Sequence, residues 1–152
     1  MTPLDGIEGK VTSMDDPYDL QRFVDAQDPV FEQVCAELCG GQKEGHWMWY
    51  IFPQLQGLGY SAMSIKYAIS SRQEAEAYLE HPVLGQRIRE CTRLVILVEG
   101  RSINQIFGSP DDLKFRSSMT LFARVASENR IFKDALQKYF AGELDRRTLE
   151  RL

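Results

Sequence analysis

Long apolar runs are missing from this chain. Its densest stretches, Trp47 to Phe52 and Leu94 to Val98, fall far short of the roughly 20 residues that cross a bilayer. The opening MTPLDGIEGK has neither the basic nor the apolar region of an export signal, so a cytoplasmic protein with no membrane partner is expected. A positive surplus is also missing. Eighteen Lys+Arg against 22 Asp+Glu leave a net charge of −4, which argues against sequence-independent nucleic-acid binding. Histidine is scarce, with only His46 and His81, and neither stands in an HExxH context. Cys35 and Cys39 lie one helical turn apart and Cys91 stands alone, without a CxxC pair, so no metal site is expected. Their odd number points to reduced thiols rather than a disulfide framework. No glycine spacing leads into Lys-Ser/Thr, which excludes a phosphate loop. Ser117 and Ser118 have no neighbouring histidine and no strand-turn-helix elbow, so no catalytic residue and no cofactor is assigned.

Alternating strands, internal repeats and low-complexity tracts are absent too, and what remains is helical. With 152 residues, 43% of them apolar, the chain suffices for one self-supporting core. Residues 1–16 lack periodicity and read as a flexible tail, which leaves residues 17–152 as a single helical domain. Two helices are expected before residue 42, the second capped by Asp28 with Pro29 in its first turn. Trp47 to Phe52 is apolar on every side; a buried helix is favoured, although its aromatic content leaves a strand open. Short helices follow at 62–69 and, behind a Ser71/Glu74 capping box, to Glu80. Leu84, Ile88, Cys91, Val95 and Val98 then step by three and four residues, the strongest helical stripe in the chain. Ile103 to Phe107 is a further short segment. Ser109 as cap, Pro110 at the first position and two aspartates open the next helix. Ile131 to Phe140 and an Asp145/Thr148 start complete an all-α, single compact multi-helix domain with one aromatic-rich buried segment.

Two segments concentrate chemistry. His46-Trp47-Met48-Trp49-Tyr50 gathers both tryptophans and one histidine just before Gln54, a composition in which Trp47 or Trp49 stacks a planar group while His46 or Gln54 orients it. Residues 107–122, FGSPDDLKFRSSMTLF, place Lys114, Ser117 and Ser118 on one helix side and Asp112 four residues before Arg116. Lysine with hydroxyls suits a phosphate or carboxylate. The same features admit plainer roles: tryptophans as core, serines as small packing residues, and charges on a solvated face.

The blocks Leu20-Gln21-Arg22-Phe23, GHWMWYIFPQLQGLGYS, EAEAYLEHPVLGQRIRE, FGSPDDLKFRSSMTLF and GELDRRTLERL together resemble the bacterial family known as domain of unknown function 1810. The resemblance runs from about residue 18 to the end. It implies a mainly helical fold and supplies no reaction or cofactor. Within those blocks His46, Gln54, Asp112, Lys114, Ser117, Ser118 and Thr120 are polar where packing asks for none. Converging in one cleft, with Trp47 or Trp49, they would line a site for a small anionic, nucleotide-like or sugar-phosphate metabolite. The alternative is a noncatalytic interaction module or homodimer anchored on aromatic surface between Trp47 and Tyr60.

Overall fold

Apolar residues at three- and four-residue spacing organise this chain, and glycines close several of its helices. The computed structural model describes residues 15–152, so most of the tail expected over 1–16 lies outside the described residues. In chain order the helices are α1 (Gln21–Gln27), α2 (Phe31–Cys39), α3 (Met48–Ile51), α4 (Ala62–Lys66), α5 (Arg72–Glu80), α6 (Leu84–Leu97), α7 (Ile103–Phe107), α8 (Asp111–Val125), α9 (Arg130–Phe140) and α10 (Arg146–Arg151). No strand occurs among the described residues. The one β feature is an isolated parallel bridge between Leu55 and Ile69.

Two long helices carry the architecture. The stripe Leu84, Ile88, Cys91, Val95 and Val98 is buried, as its period requires, and α6 meets α2, α5 and α9 along it. Helix α8 is more deeply placed: every residue from Ser117 to Ala123 is buried, and α5, α7, α9 and α10 all pack on it. Gly100 and Gly142, at φ of +74° and +81°, turn the chain after α6 and α9 in a conformation that L side chains resist.

The Trp47–Phe52 segment forms a single helical turn, α3, rather than a strand. Trp47 and Phe52 are buried at its ends, and Phe52 sits edge-on to Phe107 and Phe115 at centroid distances of 5.8 and 5.0 Å. Beyond it the chain cannot continue helically through Pro53. Instead, the Gln56 N–H donates to Ile69 O at 2.8 Å and the Ile69 N–H to Gln54 O at 2.9 Å. This bridge ends α4 early, at Lys66 instead of 69, and pins the loop from Gln54 to Gly59.

Three caps differ from the sequence expectation. Asp28 does not cap α2, whose N-cap is Val30; its carboxylate pairs with Arg87 at 2.9 Å instead. Ser71 accepts from the Glu74 N–H, but Glu74 does not reciprocate, because its carboxylate takes the Ser70 N–H and hydroxyl and pairs with Arg22 at 3.0 Å. Pro110 rather than Ser109 occupies the N-cap of α8, where the Gly108 and Pro110 carbonyls accept the first N–H groups. His81 has a role that the sequence did not suggest. Its Nδ1 accepts from the Val83 and Leu84 N–H groups at 3.1 and 3.2 Å and thereby caps α6.

Candidate functional site

The pinned loop Gln54–Gly59, the first half of α8 and the start of α10 enclose a cleft of about 400 Å³. From α8 come Lys114, Arg116 and Ser117; from α10 and its cap come Arg147 and Asp145; Gln54 and Gly59 face them from the loop. Three cations thus meet in one concavity of a chain whose net charge is −4.

Asp145 is the structural centre of this wall. Its Oδ2 accepts from Ser117 Oγ at 3.1 Å, Thr148 Oγ1 at 2.6 Å and the Thr148 N–H at 3.1 Å. Its own N–H donates to Thr120 Oγ1 at 2.9 Å, and its Oδ1 lies 3.8 Å from Arg116 Nη2. These contacts make it the N-cap of α10 and tie that short helix to α8. A buried carboxylate that meets an N–H, two hydroxyls and a guanidinium is well compensated for its lost hydration. Arg116 reaches Glu143 at 3.2 Å as well, while its Nε is buried without a protein partner.

Lys114 stands between the cleft and a narrow slot of about 10 Å³, the space of roughly one water. Its Nζ lies 5.4 Å from the centroid of the Trp49 ring and 3.7 Å from Asp111 Oδ1. Trp49 lines the slot, and its Nε1 is buried without a protein hydrogen-bond partner. The ammonium is therefore held over an aromatic face and shares Asp111 with Lys43, which lies closer to that carboxylate at 2.9 Å.

Of the nine residues singled out from sequence, Trp49, Gln54, Lys114 and Ser117 come together around the cleft and slot. The other five lie elsewhere. His46 is exposed and does not line either space. Trp47 is only 2% exposed and cannot stack a ligand; its Nε1 donates to Glu37 Oε1 at 2.9 Å. Burial works against ionisation of Glu37, yet donors from Gly45, Glu44, Gln33 and Trp47 outweigh it and draw the carboxyl down to about 2. Asp112 does not pair with Arg116; it accepts from Asn104 Nδ2 at 3.1 Å and from the Leu113 N–H at 2.8 Å. Ser118 and Thr120 are fully buried, Ser118 without a hydrogen-bond partner and Thr120 bonded to Arg116 O and the Asp145 N–H.

Sequence reasoning missed Arg116, Asp145 and Arg147. The arginines were legible only as charges in FGSPDDLKFRSSMTLF and GELDRRTLERL, and Asp145 only as a helix start. Among the described residues no group of three or more His, Cys, Asp or Glu is arranged to hold a metal ion. Cys35, Cys39 and Cys91 are free thiols.

The cleft belongs to a fold seen before. A conserved hypothetical protein from Mycobacterium tuberculosis, known from a crystal structure, is 58% identical to this chain and superposes with a TM-score of 0.89 over 90% of this chain and 98% of that one. No curated protein is significantly similar. The family described as protein of unknown function DUF1810 matches residues 17–152, and the chain belongs to that family.

Proposed function

We propose that the cleft between the Gln54–Gly59 loop, α8 and α10 binds a small anionic metabolite of the sugar-phosphate or nucleotide-like class. The observation that carries this reading is the convergence of Lys114, Arg116 and Arg147 on one concave space. Guanidinium groups present paired N–H donors that match phosphate and carboxylate oxygens, and a lysine adds a point charge. Gln54 contributes an amide on the opposite side, where it can discriminate hydroxyl patterns. Catalysis is not part of the proposal: Ser117 already has Asp145 and Leu113 O as partners, and no histidine lines the cleft.

An interaction module draws on a different observation, the exposure of Tyr60 at 81% and Ile65 at 66%. Two such side chains fall short of an interface core, and of the aromatic surface expected between Trp47 and Tyr60, Trp47 is inside the protein. The test is thermal unfolding against a panel of sugar phosphates, nucleotides and dicarboxylates, with light scattering on the free protein. A ligand at about 100 times its Kd adds about 2.7 kcal/mol and raises the Tm by several degrees. Lys114→Ala or Arg147→Ala abolishes that shift if the cleft is the site. A flat panel, or a shift that survives both substitutions, refutes the reading; a concentration-dependent dimer then favours the module.

A further inference from the structure

We infer that the ligand carries two anionic groups: one in the cleft against Lys114 and Arg147, and a second held by Arg151 in the hollow next to it. This rests on the reading of the cleft as an anion site. The adjoining hollow, about 340 Å³, is lined by Gln56, Tyr60, Ser64, Ile65 and Arg151. Gly59 borders both spaces, and the slot beside Trp49 touches it as well. The two hollows are therefore neighbours across a single loop residue.

The helix that supplies the cations fits this arrangement. Arg147 and Arg151 are four residues apart on α10, so they leave the same face about 6 Å apart along the axis. One lines the cleft and the other the adjoining hollow. Arg151 crosses the loop at Gly57, whose φ of +93° favours glycine and where a Cβ would lie 2.7 Å from Arg151 Nη1. The absence of a side chain at Gly57 lets the guanidinium lie against the loop, beside the cleft.

Charge balance points the same way. The ion pairs of the described residues engage Arg116 with Glu143 and Asp145, and Lys114 with Asp111, but none includes Arg147 or Arg151. Two guanidinium groups one turn apart, both without an acidic partner, are compensated together by a ligand with two separated anionic groups. Because Arg147 lines the cleft and Arg151 the adjoining hollow, a single phosphate seated in the cleft lies against the first alone. Ile65 and Tyr60 leave an apolar wall for the organic body that joins the two groups.

The experiment is calorimetric titration of the full chain, at constant ionic strength, with inorganic phosphate, methylene bisphosphonate and propylene bisphosphonate. The longer bisphosphonate, whose groups can reach both arginines, binds at least about tenfold more tightly than inorganic phosphate, because its second group engages intramolecularly. Arg151→Ala removes the gain of propylene bisphosphonate over inorganic phosphate, whereas Arg147→Ala weakens the binding of both. Arg151 is exposed, and a matching melting curve verifies that its variant folds. Equal affinity for propylene bisphosphonate and phosphate, or a gain that survives Arg151→Ala, overturns the two-group inference while the cleft stands as an anion site. Binding of neither probe overturns the cleft reading along with it.

Discussion

Gly85 offers a sharp test of the packing, because an ordinarily favourable substitution should there become damaging. It lies in the first turn of α6, buried against the end of α5, and a Cβ would come 2.0 Å from Leu79 O and 2.9 Å from Leu79 C. Both obstacles are backbone atoms, so no rotamer change can relieve them. The α5–α6 corner would have to open by more than an ångström, while the cap from His81 to Val83 and Leu84 holds it closed. In an unobstructed helix Gly→Ala gains about 0.5–1 kcal/mol. Overpacking of this kind costs about 1–3 kcal/mol, with backbone clashes at the upper end, so the expected net loss for Gly85→Ala is about 2 kcal/mol. For a chain of this size that is a fall in Tm of about 4–8 °C. Gly40→Ala is the control: Gly40 has an ordinary φ of −78°, and a Cβ there meets only Ala36 O and Glu37 O at 3.5 and 3.6 Å. It should leave the Tm unchanged or slightly raised. Both variants are to be followed by far-UV circular dichroism in heat and in urea. If Gly85→Ala melts with the wild type while Gly40→Ala does not exceed it, the close α5–α6 approach is not a determinant of stability.

Glu37 governs part of the acid limb. Its folded pKa, about 2, lies below the roughly 4.3 of an unfolded glutamate, so its contribution is complete above about pH 5 and is lost as the pH falls toward 2. Glu37→Gln should therefore be less stable than wild type near neutrality, with the gap closing between about pH 4 and 2; a gap that stays constant across a Tm-versus-pH series contradicts this account. Ser118 is fully buried and its hydroxyl has no partner, so Ser118→Ala should be neutral or stabilising by up to about 1 kcal/mol in urea unfolding, and a clear loss would expose a partner for the hydroxyl. Burial raises the thiol pKa of Cys35 and Cys91, and Cys39 is exposed, so iodoacetamide mapped by mass spectrometry should label Cys39 first and Cys91 only on unfolding. Early alkylation of Cys91 would contradict its place in the core.

Local pattern made the helices legible. The stripe from Leu84 to Val98, the glycines at 100 and 142, and Asp145 three residues before Thr148 each act through neighbours within one or two turns. The caps that went elsewhere did so because a distant residue competed: Arg87 takes Asp28, and Arg22 with Ser70 takes Glu74. The site was legible only in half for the same reason. Lys114 and Gln54 stood out inside dense segments, but Arg116 and Arg147 become neighbours only when α10 docks, and nothing local announces that. Trp47 and Trp49 illustrate the remaining limit. In a segment apolar on every side, period alone cannot tell which indole enters the core and which reaches the slot.

The dependence of the cleft on α10 has a consequence for how this protein moves. A six-residue helix is too short to persist by itself in water, so α10 is ordered only while Asp145, Ser117, Thr120 and Thr148 hold it to α8. Its release would expose little core and leave α6 and the centre of α8 intact, which makes it a local opening well below the free energy of global unfolding. Each opening carries away Arg147 and Arg151 together. Amide exchange at Thr148 should thus run much faster than at Leu121 in the free protein, and slow in proportion to occupancy when an anion bridges α10 to the Gln54–Gly59 loop.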